Sequence, residues 1–172
     1  MNEKQTRTFA AVGLFIGGIF GMIGSIVSSP LFRGLAWGLD GIGLILASGL
    51  LTLYYFRKGH DALAAGFLVF AIGEALILSS NAADLEENVS SFSAGTSLWA
   101  ASLALISFQN VFPLLIRSTG FIAAALFSVV SVQILTGGSI NALTEPLPFY
   151  AYPFFAATIF GWGWILLRTN ST

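Results

Sequence analysis

Residues 61–81 read DALAAGFLVFAIGEALILSSN, and this stretch decides how the rest of the chain is interpreted. It is long and apolar enough to cross a bilayer, because a spanning helix needs about 20 mainly apolar residues. One carboxylate, Glu74, lies well inside the apolar run. An ion is costly at that depth, so intramembrane carboxylates are rare and usually functional. The stretch therefore predicts a transmembrane helix that carries a candidate functional residue.

The composition of the whole chain agrees with this interpretation. Of its 172 residues, 56% are hydrophobic and only 9% are charged, against roughly 25% charged residues in an ordinary soluble domain. The mean hydropathy is +0.85. A soluble fold of this size cannot bury so much apolar surface, so lipid must be the solvent. We expect a single transmembrane domain over residues 1–172, with the lipid bilayer as its surroundings.

Charge and motif content argue against several classes of function. The net charge of −1 argues against nucleic-acid binding, which needs clustered Lys and Arg. Without cysteine, the chain has no disulfide, thiolate metal site or cysteine nucleophile. The single histidine, His60, cannot supply both axial ligands of a membrane haem. It lies in a predicted turn, where it is either a solvated residue or a proton relay. No catalytic motif is present. We therefore predict no enzymatic activity, no metal and no cofactor.

Apolar segments alternate with short polar or proline-containing breaks along the chain. Ser28-Ser29-Pro30 ends the first segment, because proline cannot continue a hydrogen-bonded turn. The hydrophilic residues 57–61 separate the second segment from the third. The predicted spans cover residues 9–28, 34–56, 62–81, 94–116, 120–136 and 149–167. This pattern predicts an all-α integral membrane protein, a compact bundle of six transmembrane helices.

Small residues recur at helical spacing within the first two predicted spans. Such small-xxx-small patterns let two helix backbones approach closely in a membrane. In the first span they are Gly13, Gly17 and Gly21, and in the second Gly34, Gly38, Gly41, Ser48 and Thr52. We expect these faces to be the contact faces of the two helices.

The distribution of basic residues predicts the orientation. With a cytoplasmic N-terminus, six of the seven basic residues lie inside and only Arg33 lies outside, which is a strong positive-inside bias. The six inner residues are Lys4, Arg7, Arg57, Lys58, Arg117 and Arg168. We therefore expect both termini to be cytoplasmic, in a multi-pass protein of a bacterial inner (plasma) membrane.

Tryptophan and tyrosine residues fall near the predicted span ends, as the aromatic belts of membrane proteins do. At the outer ends these are Trp37, Trp99, Tyr150 and Tyr152, and at the inner ends Tyr54, Tyr55, Trp162 and Trp164. We expect these side chains to lie at the two membrane interfaces.

Two carboxylates are predicted at matching depth in the outer half of the membrane. From the helical rise, Glu74 lies roughly 12 Å and Asp40 roughly 10 Å below the outer helix ends. Gln133 and Asn81 add polar groups nearby or slightly above. Glu74 flanks a stripe of small residues, which directs it into the bundle. The stripe comprises Ala62, Gly66, Gly73 and Ser80.

The carboxylates have a functional and a purely structural interpretation. In the first, they line a water-filled pocket open to the outside that binds a proton, a cation or a small polar solute. In the second, a neutral, hydrogen-bonded Glu74 only fixes helix packing, and Asp40 reaches interfacial water or pairs with Arg33.

A second polar break lies in the fourth predicted span, at Gln109, Asn110 and Pro113. Pro113 has no N–H for the carbonyl of Gln109, which predicts a helix kink near the cytoplasmic end. The two amide side chains either form an inner gate or are satisfied by neighbouring helices in a structural kink.

Two functional hypotheses follow. The first is a small transporter or channel whose pathway uses Glu74, Asp40, Gln133 and Asn81, with Gln109 and Asn110 toward the cytoplasm. The second is a non-catalytic accessory or scaffold subunit, with homo-oligomer or membrane-complex partners. The two depth-matched carboxylates favour transport.

Overall fold

Six helices make up the protein in the computed structural model, which describes residues 1–82, 89–137 and 146–168, with the backbone alone at 81, 82 and 146–149. They are α1 (Glu3–Ile26), α2 (Pro30–Arg57), α3 (Asp61–Ala82), α4 (Val89–Phe108), α5 (Leu114–Leu135) and α6 (Pro146–Arg168). All six are long and apolar enough to cross a membrane, which confirms the predicted number of spans and agrees with a multi-pass membrane protein.

Helix α1 begins earlier than the predicted span because its polar start is capped. The Asn2 side chain accepts a hydrogen bond of 2.8 Å from the backbone N–H of Gln5. In return, the Asn2 N–H donates to the Gln5 side chain at 3.1 Å. This reciprocal capping box satisfies two N–H groups that a helix start leaves unpaired. The helix therefore extends past the apolar run.

The α2–α3 turn is closed by a glycine in the left-handed region. Gly59 has a φ of 74°, which residues with a Cβ rarely adopt. The N–H of His60 donates to the carbonyl of Tyr55 at 3.0 Å, and the N–H of Gly59 to that of Phe56 at 3.1 Å. These two bonds form a Schellman motif. His60 is exposed in this turn.

The connection between α4 and α5 differs from the sequence prediction. Helix α4 ends at Phe108 and α5 begins at Leu114, so Gln109 and Asn110 lie between the helices. Pro113 is the N-cap residue of α5, where its missing N–H costs nothing. Arg117 holds the break by donating from Nε to the carbonyl of Ser107 at 2.7 Å. The predicted kink at Pro113 within the fourth helix is therefore wrong, because the proline separates two helices.

The helices form a closed ring. Each packs against its neighbours in sequence, and α6 returns to pack against α1. Within the described ranges, helices that are not neighbours in this ring make no backbone contact. An ion pair of 2.8 Å between Glu3 and Lys58 joins the start of α1 to the α2–α3 turn, so both lie at the same end of the ring.

Glycines permit close helix crossings at two points of the ring. Between α3 and α4, a Cβ on Gly95 would lie 2.9 Å from the carbonyl oxygen of Gly73. Gly13 of α1 and Gly43 of α2 form the same kind of crossing. On α2, however, a Cβ placed on Gly34 or Gly38 would meet no atom of the described residues within 4 Å, so the predicted contact face is wrong at these positions.

Aromatic side chains fill the centre of the ring, where the helix backbones do not meet. Neighbouring rings have centroids between 4.7 and 6.5 Å apart. We call this set the aromatic column; it comprises Tyr55, Phe67, Phe70, Trp99, Phe112, Phe127, Tyr152, Phe155 and Trp162. Among the described residues, neighbouring rings of the column are thus in contact from Tyr55 at one end to Tyr152 at the other.

Two predicted interfacial tryptophans belong to this column. Trp99 and Trp162 are each only 1% exposed, whereas Tyr150 and Trp164 are 60% and 51% exposed. The prediction of interfacial belts is therefore wrong for Trp99 and Trp162. A large ring gains more contact in the centre of the bundle than at its rim, because the six-helix ring leaves a space that only bulky side chains fill.

Candidate functional site

Glu74 and Asp40 are both buried inside the ring. Glu74 on α3 is 2% exposed and lies one turn after Phe70 of the aromatic column. Asp40 on α2 is 6% exposed. Buried carboxyl groups are costly unless their charge is compensated, so their surroundings decide what the site does.

The two carboxyl groups belong to one site. Asp40 lies close enough to Glu74 for the two charges to interact. The phenol of Tyr152, at the end of the aromatic column on α6, lies within electrostatic range of both. We call these three residues together with Trp99 the carboxyl site. Helices α2, α3, α4 and α6 therefore each contribute one side chain to it.

Asp40 fits into the ring because α1 has glycines opposite it. A Cβ on Gly21 would lie 3.1 Å from Asp40 Oδ2, and one on Gly17 would lie 3.3 Å from Oδ1. The carboxyl group thus occupies space that a side chain of α1 would otherwise take. The glycine spacing predicted a close approach of α1, but it did not reveal that part of the space holds a carboxyl group.

The alternative partner expected for Asp40 is engaged elsewhere. Arg33 donates from Nε to the carbonyl of Val27 at 3.2 Å and from Nη2 to that of Ser28 at 3.0 Å. Its guanidinium group lies over Trp37, 5.9 Å from the ring centroid. Arg33 therefore caps the end of α1. In the part of the chain that the structure describes, no basic side chain interacts with Asp40 or Glu74.

Trp99 is a site residue that the sequence did not reveal. Its indole N–H lies beside the Glu74 carboxyl group and interacts with it electrostatically. Trp99 Nε1 and Glu74 Oε2 are nevertheless both buried without a hydrogen-bond partner. The two groups are therefore neighbours that do not form a hydrogen bond of normal geometry. Each such unpaired group costs about 1–3 kcal/mol. The deepest part of the carboxyl site is therefore unsatisfied in hydrogen bonding.

The other predicted pathway residues lie apart from the carboxyl site. Gln133 is half-buried and lines a groove on α5 that Asp40 and Glu74 do not line. The side chain of Asn81 lies outside the described residues. Gln109 and Asn110 follow the end of α4, ten and eleven positions after Trp99 and so about 15 Å further along the helix direction. The structure thus brings together Asp40 and Glu74, but neither Gln133 nor the two amide residues of the α4–α5 connection.

The metal-ligating potential of the site is small. Among residues 1–82, 89–137 and 146–168, no group of at least three His, Cys, Asp or Glu side chains lies close enough to hold a metal ion. No protein-family model, curated protein or solved structure matches this chain. What the site binds must follow from its own groups, which are two carboxyls, a phenol, an indole N–H and the faces of aromatic rings.

Proposed function

We propose that this protein is a small membrane transporter in which Asp40 and Glu74 bind the transported or coupling cation. The observation that supports this is the burial of two interacting carboxyl groups with no basic side chain beside them. An ion removed from water loses several kcal/mol of solvation, and two like charges in a low dielectric repel each other. A positive charge supplied from outside the protein relieves both costs.

The aromatic column favours a transporter over an open channel. In the described residues its rings are in contact from Tyr55 to Tyr152, which is unlike the water-filled axis of an open channel. Tyr152 belongs both to the carboxyl site and to the column, so the site lies at one end of the column. In a transporter, an ion would enter the site from that end, and its passage to the other side would require the helices to move apart.

We further propose that both termini are cytoplasmic and that the carboxyl site lies in the outer half of a bacterial inner membrane. The positive-inside bias supports this orientation. The pair between Glu3 and Lys58 also places the N-terminus and the basic α2–α3 turn at the same end of the ring. The site then receives its ion from the outside.

Vesicle reconstitution tests the transport proposal. Purified protein is placed in liposomes, and uptake of protons, Na⁺, K⁺ and tetramethylammonium is followed under an imposed gradient. We expect flux of at least one of these ions in the wild type and its loss in Glu74→Gln and Asp40→Asn. Glu3→Gln removes a carboxylate that is 64% exposed at the end of α1 and serves as the matched control with normal flux. Equal flux in wild type and Glu74→Gln, or no flux of any of the four ions, would argue against transport.

The competing proposal is that the protein is a non-catalytic accessory or scaffold subunit. It would assemble either with copies of itself or with other proteins of a membrane complex. In that case the carboxyl site only fixes helix packing. Purification in mild detergent separates the two proposals: defined partners that co-purify at constant ratio support the subunit role, and a stable isolated protein with ion flux supports the transporter.

A further inference from the structure

We infer that the ligand of the carboxyl site is a proton, carried by Glu74. The inference rests on the proposed transport function for its biological role, whereas the binding itself is argued from the site. Glu74 Oε2 and Trp99 Nε1 are both buried and unpartnered, and they lie side by side. The ligand must therefore suit an indole N–H as well as two carboxyl groups.

A metal cation does not suit this donor set. Hard cations such as Ca²⁺ take 6–8 oxygen ligands, and Mg²⁺ demands six in octahedral geometry. The described residues bring no third carboxylate or imidazole to Asp40 and Glu74. The indole N–H of Trp99 also presents the positive end of its dipole to the site, which repels a bound cation.

An organic ammonium ion does not suit the indole N–H of the site, because its positive charge would lie beside the positive end of the Trp99 dipole. Trp99 also packs closely against aromatic rings, since its ring centroid is 4.7 Å from that of Phe155 and 5.1 Å from that of Phe127, which are contact distances. On the α1 side, the Asp40 carboxyl group takes the space of a side chain, because a Cβ on Gly21 would lie 3.1 Å from Asp40 Oδ2.

A proton needs no cavity and satisfies the charge of the site. It binds a carboxylate oxygen of Glu74, the carboxylate becomes a carboxylic acid, and the charge of the two acids together changes from −2 to −1. The C=O group of the acid is still able to accept a hydrogen bond from the neighbouring Trp99 N–H, which has no partner in the structure. The proton enters from and returns to the aqueous phase at the end of the ring near Tyr152.

The titratable groups that face Glu74 are few. Helix α2 contributes Asp40, and α6 contributes Tyr152. Helix α4 contributes Trp99, which does not titrate. Trp99 therefore acts as a positioning residue beside the Glu74 carboxyl group, and among the described residues Asp40 is the acid whose charge sets how readily the proton binds.

Infrared spectroscopy of the protein in lipid nanodiscs tests this inference, because a protonated carboxylic acid has a carbonyl stretch that a carboxylate lacks. We expect a carbonyl band that is lost as the pH is raised. Glu74→Gln should lack this band, whereas the control Glu3→Gln should show it unchanged. In Asp40→Asn the band should remain and titrate at a different pH, because the neighbouring charge is gone. A band that persists in Glu74→Gln would overturn the inference.

Two further measurements keep the inference falsifiable if Glu74→Gln does not fold. Trp99→Phe retains the ring but removes the N–H, so the band should shift in frequency; an unchanged frequency would mean that another carboxyl group carries the proton. Addition of Na⁺, K⁺ or tetramethylammonium at fixed pH should leave the band unchanged. Loss of the band on addition of one of them would assign the site to that cation.

The outcomes for the binding and for the transport are distinguishable. If the Glu74 band titrates but vesicles show no flux, the transport proposal fails and proton binding stands. If vesicles show flux that depends on Glu74 but no band titrates, proton binding fails and the transport proposal stands.

Discussion

The backbone carbonyl oxygen of Gly43 on α2 lies 2.7 Å from the position that a Cβ would take on Gly13 of α1. The reverse holds too, because the carbonyl oxygen of Gly13 lies 2.8 Å from a Cβ placed on Gly43. Real Cβ atoms do not approach a neighbour so closely, and the neighbour here is backbone that cannot rotate away. The two helices therefore cross at a distance that only glycine allows on both sides.

Gly43→Ala should destabilise the protein by about 1–3 kcal/mol, the usual cost of overpacking. The control is Gly49→Ala on the same helix, since Gly49 has no neighbouring atom within 4 Å. There alanine is the better helix former, so stability should stay equal or rise by up to about 1 kcal/mol. Reversible unfolding in mixed detergent micelles measures both. Equal stabilities of the two variants would contradict the close crossing.

Gly21→Ala should impair the carboxyl site. The added methyl group would lie 3.1 Å from Asp40 Oδ2, so the carboxyl group must shift. We expect at least a tenfold loss of Asp40-dependent flux in vesicles, which corresponds to about 1.4 kcal/mol. Gly38→Ala is the matched control on the helix of Asp40, because nothing lies within 4 Å of Gly38. Normal flux in Gly21→Ala would show that the position of Asp40 is unimportant.

Ser131→Ala should lower stability by about 0.6 kcal/mol, the average for an interhelical hydrogen bond in a membrane protein. Ser131 Oγ lies 3.0 Å from Thr96 Oγ1 and so joins α5 to α4, and its one proton is shared with the carbonyl oxygen of Phe127 at 2.9 Å. Ser128→Ala on the same helix is the control, because Ser128 bonds the carbonyl of Ala124 within its own helix. A double-mutant cycle with Thr96→Val measures the coupling. A coupling energy of zero would mean that the two hydroxyls do not interact.

The pair between Lys58 and Glu3 predicts a pH effect at the basic end of the ring. The hydrogen bond from Lys58 to Glu3 raises the pKa of Lys58 above its ordinary value of 10.5. The contribution of the pair to stability is therefore complete below pH 10.5 and is lost as the pH rises through the pKa of the folded protein. NMR of the Lys58 side chain in micelles should give a lower pKa in Glu3→Gln. The same pKa in both proteins would show that the pair is absent in solution.

The sequence was sufficient for the number of helices and for the close approach of α1. Length and hydropathy define the six spans because a bilayer imposes about 20 apolar residues on each. The spacing of Gly13, Gly17 and Gly21 identifies a face of α1 that lies against α2, where Gly13 meets Gly43. Span length and close helix packing each impose a pattern on residues that are near one another in the sequence, so both can be recognised there.

The buried face of α2 was not predictable in the same way. In a membrane both faces of a helix are apolar, since lipid and protein interior are about equally hydrophobic. Gly34 and Gly38 therefore look like Gly41 and Gly43 in the sequence, although nothing packs against the first two. The choice between the faces depends on how far α2 is rotated, and the neighbouring helices determine that rotation.

The carboxyl site was predictable only in part. Counting residues along the two helices predicted that Glu74 and Asp40 lie at one level, and the two acids do interact. Their relation to Trp99 and Tyr152 depends on the closure of the ring. In the sequence, Trp99 lies 25 positions after Glu74, and Tyr152 lies 78 positions after Glu74. No local pattern connects residues so far apart. Tryptophan on average prefers the membrane interface, and on this basis Trp99 was expected at the rim of the bundle. It is instead buried in the centre of the ring, where it fills space between the helices.

Closure of the ring also determines when the site is completed during synthesis. Helices α1 to α5 can pair in order as they enter the membrane, since each contacts its predecessor. The final contact, between α6 and α1, joins the last helix made to the first. Until α6 arrives, the ring has an open seam and the carboxyl site lacks Tyr152. A ribosome must therefore complete all six helices before the site is complete, and a chain halted before α6 would hold the two acids in an unfinished ring.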